Sequence, residues 1–244
     1  MLKRAGRMLF VIVMIMAGAI VGVGATSGTA HADECYTWSR TLSQGSSGAD
    51  VTQLQIRVAG WVTSGERLSY DGVYGARTTA AVKKFQSAYG LAADGVAGSQ
   101  TFSKIYALQD ADCTPIHFAY SELNKCNSDW SGGAVSAATA KANALKTMWK
   151  LEAMRHALGD VPITVSSGFR SYACNSAVGG ASGSRHLYGD AADLTGSPSL
   201  CTLAKQARVH GFSEILGPGY PDHNDHAHVA LDPSPYWSAP NCGI

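Results

Sequence analysis

The sequence predicts an α+β protein, with a small three-helix N-terminal domain followed by a larger domain that mixes helices with short strands. Three observations carry this expectation. Asp71-Gly72-Val73-Tyr74-Gly75 returns 23 residues later as Asp94-Gly95-Val96-Ala97-Gly98, and each copy is a glycine turn that opens a segment of helical periodicity. Residues 130–158 are Ala-rich, with apolar positions at helical intervals, and run into the β-rich Val161-Pro162-Ile163-Thr164-Val165. Beyond them, residues 189–194 and 226–231 combine small or apolar residues with ionisable ones in the alternation of strands.

The chain begins with Lys3, Arg4 and Arg7, an apolar run from Met8 to Val23 and the small-residue site Ala30-His31-Ala32. That order is the signature of a secretory signal peptide, expected over residues 1–32 and cleaved before Asp33. No later segment is long enough to span a bilayer, so no membrane contact is expected once the signal is removed. Nineteen Lys and Arg against 18 Asp and Glu provide no basic field, which excludes nucleic acid as the main partner. All six cysteines follow the cleavage point, an even number in an exported chain, which predicts three disulfides. Fifteen pairings are open. The expectation is sequential pairing: Cys35 with Cys113 around a first domain, then Cys126 with Cys174 and Cys201 with Cys242 in a second. The domains are expected at 33–113 and 114–244.

In the first domain Val51, Leu54 and Val58 predict a helix from Ala49 to Val58. Thr78 is a fair N-cap for a second helix carrying Val82, Phe85 and Tyr89, and Phe102, Ile105 and Leu108 mark a third. No His occurs between Cys35 and Cys113, and no nucleophile sits beside a base, so the domain reads as a binding or spacing module. Its run from Leu54-Gln55 through Asp71-Gly72-Val73-Tyr74-Gly75 to Lys84-Phe85-Gln86 resembles the peptidoglycan-binding domain found beside cell-wall hydrolases, over about 65 residues. Tyr70, Tyr74 and Trp61 are candidate exposed contacts, and core packing is the alternative for each.

In the second domain Leu145, Met148, Trp149, Leu151 and Met154 form an apolar stripe, and Gly179 to Gly183 reads as a flexible loop. The chemistry follows that loop. His186 and Asp193 lie seven residues apart; on a strand from Gly189 to Leu194, Gly189, Ala191 and Asp193 share one face, with open space before the carboxylate. His223, Asp225, His226 and His228 form a second cluster, in which His226 and His228 point the same way on a strand. Imidazoles with a carboxylate suit Zn²⁺, and three ligands with an open fourth position make a hydrolytic site. Were His226 a fourth ligand, the shell would close and the zinc would be structural. Ser166, Ser167 and Ser184 lack the Gly-x-Ser-x-Gly setting of a serine hydrolase.

The Ser184-x-His186-x-x-Gly189-x-Ala191-x-Asp193 pattern with a distant His226-x-His228 resembles the zinc D-alanyl-D-alanine carboxypeptidase family, which shares its fold with the lysostaphin and hedgehog zinc domains. The resemblance implies a small, mostly antiparallel sheet with flanking helices and one Zn²⁺ per chain, held by His186, Asp193 and His228. It implies that Asp225 serves as base, with His223 or His226 as the alternatives because many relatives carry Glu at that position. It places Arg170 at the C-terminal carboxylate of the substrate, and Ser184 is grouped with it as substrate-binding. The activity implied is that of a secreted, wall-associated monomer that hydrolyses the D-Ala-D-Ala bond of peptidoglycan stem peptides. The rivals are an endopeptidase of cross-links and a noncatalytic wall-binding zinc protein.

Overall fold

A computed structural model describes residues 35–244; the expected signal peptide lies outside the described residues. The N-terminal part consists of α1 (Ala49–Val58), α2 (Ala76–Ala88) and α3 (Ser99–Ala107). Their connecting turns are copies of each other down to the hydrogen bond. Gln55 Nε2 donates to Asp71 Oδ1 at 2.9 Å, Val73 O at 3.1 Å and Thr78 Oγ1 at 3.2 Å, while Gln55 Oε1 accepts from Gly72 N at 3.0 Å. Gln86 repeats the set with Asp94, Val96 and Thr101, and accepts from Gly95 N. Both glutamines are buried, so each turn is organised by one fully engaged side-chain amide. Gly72 (φ 71°) and Gly95 (φ 76°) take the left-handed conformation that the turn requires.

This geometry corrects two expectations. Thr78 does not cap α2: Gly75 holds that position, and Thr78 lies inside the first turn with its hydroxyl on Gln55. Tyr74 and Trp61 are core residues at 0% and 9% exposure, Tyr74 donating to Gly95 O at 2.8 Å. The Tyr70 hydroxyl is buried as well.

The C-terminal part holds α4 (Tyr120–Leu123), α5 (Ala137–Ala157), β1 (Thr164–Ser167), α6 (Tyr172–Ala177), β2 (Ala191–Thr195), α7 (Leu200–Val209), β3 (Glu214–Leu216), β4 (Ala227–Ala230) and β5 (Tyr236–Ser238). The strands form one sheet in the order β1-β2-β4-β3-β5, antiparallel except for the β3–β5 pair. The long helix starts later than its composition suggests, because Trp130 (φ 62°) and Gly132 (φ 74°) are left-handed. Ser136 then caps α5, accepting from Thr139 N. No helix among the described residues is long and apolar enough to cross a membrane.

The expected apolar stripe on α5 is two faces. Trp149 and Ala153 belong to the core of the N-terminal helices; Ala140, Ala144, Met148, Leu151 and Met154 belong to the core under the sheet. Polar contacts fasten the same seam. Lys150 Nζ donates to Ala59 O at 3.2 Å and Gly211 O at 2.8 Å, His210 Nδ1 to Gly60 O at 2.8 Å and Trp149 Nε1 to Cys113 O at 3.2 Å. The described residues 35–244 accordingly belong to one compact unit. Cys35 is bridged to Cys113, Cys126 to Cys174 and Cys201 to Cys242, with Cα separations of 5.2, 6.3 and 5.1 Å, inside the usual disulfide range.

Candidate metal centre

The β2–β4 pairing sets Asp193 directly opposite His228. A 3₁₀ turn, Arg185–Tyr188, brings His186 to the same point. Gly189 ends that turn at φ 75° and so lies outside β2; a Cβ on it would stand 2.4 Å from the Ala140 carbonyl oxygen. Its missing side chain therefore admits α5, where the alternation pattern suggested open space before the carboxylate. His186 Nε2 lies 3.1 Å from Asp193 Oδ1, His228 Nδ1 lies 2.9 Å from the same oxygen, and the two nitrogens are 3.1 Å apart. All three side chains are buried.

The outward atoms of each group are engaged. His186 Nδ1 donates to Gly168 O at 2.6 Å, His228 Nε2 meets Glu214 Oε1 at 2.9 Å, and Asp193 Oδ2 accepts from Arg170 Nη2 at 2.6 Å. With both rings holding their protons outward, three lone pairs face one point, an arrangement that needs a positive charge between them. Within the protein alone, imidazole protons supply that charge against Asp193. Burial by itself raises the Asp193 carboxyl, but hydrogen bonds from His186 and His228 outweigh it and hold the group well below the usual carboxylate range. Burial opposes protonation of His228, yet Asp193 and Glu214 at its two nitrogens push it up to about 9. His186, for which burial dominates, is pushed down. Two imidazoles and a carboxylate oxygen within 4.8 Å of one another fit a tetrahedral Zn²⁺ that keeps its fourth position open.

His226 stands at the edge of this centre, its Nε2 3.6 Å from Asp193 Oδ1 and its Nδ1 2.7 Å from Asp225 Oδ1. Asp225 is exposed and sits behind His226; its carboxyl is held low chiefly by that hydrogen bond. His223 donates from Nδ1 to Pro221 O at 2.6 Å, with its ring 4.7 Å from that of His226 and 5.9 Å from that of His228. Arg170 also donates from Nε to Ser167 Oγ at 3.0 Å, which leaves Nη1 without a protein partner among the described residues. Ser184 precedes the 3₁₀ turn, and its carbonyl accepts from Leu187 N. Ser166 Oγ donates to Asp193 O and Ser167 Oγ accepts from Arg170 Nε, so these two serines serve the scaffold. Two participants have no signal in the sequence: Glu214, on a three-residue strand, and the Gly168 carbonyl, a backbone atom.

A buried His-Asp-His centre with an open, histidine-lined side, carried on a small sheet flanked by helices, defines a metal-dependent hydrolase. Comparison with known proteins narrows that class. The Peptidase M15 family pattern matches residues 116–230, and a peptidoglycan binding domain pattern matches residues 47–105. A zinc D-Ala-D-Ala carboxypeptidase of Streptomyces albus G is 64% identical over 236 residues, covering 96% of this chain and 92% of that protein. An uncharacterised protein encoded in the bpoA1 3′ region of Kitasatospora aureofaciens is 32% identical over 107 residues, 41% of this chain and 86% of its own. A peptidoglycan-binding protein of Clostridioides difficile, solved in complex with glutamine hydroxamate, is 34% identical; the match covers 27% of this chain and 39% of that one, with a TM-score of 0.24. The chain belongs to the zinc D-Ala-D-Ala carboxypeptidase family within peptidase M15.

Proposed function

We propose that this protein releases the terminal D-Ala from peptidoglycan stem peptides ending in D-Ala-D-Ala, and that the region we delimit as 33–113 holds it on the wall while 114–244 carries out hydrolysis. The observation that carries this reading is the convergence of His186 Nε2, Asp193 Oδ1 and His228 Nδ1 with His226 beside the open side. Zinc, when bound there, supplies a Lewis acid that polarises the scissile carbonyl and makes water acidic near neutral pH. His226, oriented through Nδ1 by Asp225, takes the proton of the attacking water at Nε2 and returns it to the departing amine. His223, pushed towards the neutral form first by burial, packs beside His226 and limits the approach of bulk water. Arg170 offers Nη1 to the terminal carboxylate of the substrate while its other nitrogens stay on Asp193 and Ser167. Its cleft is a cavity of about 440 Å³ bounded by Phe169, Val178 and the Cys126–Cys174 bridge, which suits a short, uncharged side chain next to a carboxylate. Export as a monomer completes the proposal.

The test is mass spectrometry of a pentapeptide stem incubated with the mature protein, alone, with chelator, and with chelator followed by zinc. Loss of one alanine, blocked by chelator and restored by zinc, is the expected result. Internal cleavage would establish an endopeptidase, and an intact peptide beside tightly held zinc would establish a binding protein.

A further inference from the structure

A second cavity, of about 400 Å³, opens between the N-terminal helices and the sheet domain, and none of the metal-centre residues lines it. Three cationic side chains line it: Arg67 and Arg77 from the N-terminal side and Lys150 from α5. No acidic side chain does. Arg67 Nη1 donates to the carbonyls of Asp232 at 2.8 Å and Pro233 at 3.0 Å, and Lys150 donates to those of Ala59 and Gly211. These contacts supply dipoles but no opposite charge. Arg77 has no hydrogen-bond or ion-pair partner among the described residues. Asp190, whose charge reaches Tyr70 and Lys146, is itself paired with Arg185.

Two further features accompany the missing counter-charge. Tyr70 lines the cavity, and its hydroxyl is buried behind that lining without a hydrogen-bond partner, although buried hydroxyls are nearly always paired. Ser69 adds a hydroxyl-bearing residue to the same lining, whereas the hydroxyl of Ser213 is spent on Ala230 O. Burial, and then the charge of Arg67, push Lys150 down to about 7, the behaviour of an ammonium group with no anion near it. Arg67 and Arg77 are exposed and screened by water, yet beside the buried Lys150 they leave a positive seam without a carboxylate in its lining, which an anion would complete.

We infer that this cavity is a binding site for an oxyanion, a carboxylate or phosphate group, taken up between Arg67, Arg77 and the Tyr70 hydroxyl. On the wall-hydrolase reading above, the anion is a free carboxylate of a stem peptide or a phosphodiester of an anionic wall polymer; the site itself does not depend on that reading. Charge-assisted hydrogen bonds from guanidinium groups are the stronger kind and give a planar grip on either anion.

The experiment is calorimetric titration of the zinc-loaded mature protein with glutarate, glycerol 3-phosphate and neutral glutaramide, repeated with Arg77→Gln and Tyr70→Phe. Arg77 is exposed on α2 and Tyr70→Phe only removes an unpaired hydroxyl, so both variants should fold. The expected result is millimolar binding of an anion but not of glutaramide, weakened about tenfold by Arg77→Gln and by a smaller factor in Tyr70→Phe. Hydrolysis of a short stem peptide by either variant should stay within about twofold of the parent. Tighter binding of glutarate assigns the site to stem peptides, and tighter binding of glycerol 3-phosphate to wall polymers. No heat above dilution for either anion, or binding that both variants leave unchanged, overturns the site. Either negative result leaves the hydrolytic assay free to succeed, so the two readings fail separately.

Discussion

Glu214 Oε1 meets His228 Nε2 at 2.9 Å, on the far side of the imidazole from the nitrogen that faces Asp193. The carboxylate fixes the ring's tautomer and aims its Nδ1 lone pair at the metal position. Glu214→Ala should lower zinc affinity by about 10- to 100-fold, read by competition with a chromophoric chelator, while the thermal midpoint of the metal-stripped protein changes little. Glu214→Gln, whose amide oxygen can still accept from Nε2, should recover much of the loss. Equal affinity in all three proteins would remove Glu214 from the metal centre.

Gln86 ties the second glycine turn together with four hydrogen bonds. Gln86→Leu keeps the volume but leaves Gly95 N without its acceptor and Asp94 and Thr101 without their shared donor. A cost of about 2–4 kcal/mol is expected from orphaned buried groups, and Gln55→Leu should cost a similar amount through Gly72. Urea denaturation of each variant against the parent measures it.

His210 gives the fold a sensitivity to acid. Its Nδ1 donates to Gly60 O while Nε2 is buried with no partner; burial pushes the imidazole from 6.5 down to about 4. The neutral ring is favoured in the folded state, so stability is full above about pH 6.5 and falls as pH drops from 6.5 towards 4. The loss reaches about 2 kcal/mol at pH 5 and about 3 kcal/mol below pH 4. The difference in denaturation free energy between pH 7 and pH 5 should shrink by about that amount in His210→Gln.

Gly189 separates the 3₁₀ turn bearing His186 from β2. Alanine there meets both a φ of 75° and the Ala140 backbone at 2.4 Å. Gly189→Ala should cost about 3 kcal/mol or more and, by shifting His186, weaken zinc binding as well. Differential scanning calorimetry with and without added zinc separates the two effects: stabilisation by the metal should be smaller in the variant.

Much of this was legible in the residues themselves. The repeated Asp-Gly-Val turn and the spacing of Val51, Leu54 and Val58 locate the first helix and its neighbours, because glycine turns and 3.6-residue periodicity are local signals. The clustering of His186 and Asp193, and of His226 and His228, selects the residues that the β2–β4 register, the 3₁₀ turn before β2 and the approach to β4 bring together. What was hidden is what depends on distant packing. The offset that makes Thr78 a partner of Gln55 resembles a helix cap, since both roles suit a hydroxyl near a turn. Gly189 reads as a gap because a sequence cannot show that α5 fills it. Glu214 belongs to a strand too short to display alternation, and Asp225 stands behind His226 because Asp225 precedes β4 and faces solvent.

Helix α5 has the character of a party wall. Trp149 and Ala153 complete one hydrophobic core while Met148, Leu151 and Met154 complete the other, so cutting the chain after Cys113 would not release two intact modules. The peptidase half would be left with a bare tryptophan and an uncovered lysine along its longest helix. Exchange of the front module for an unrelated one would here require rewriting the helix at the heart of the catalytic half.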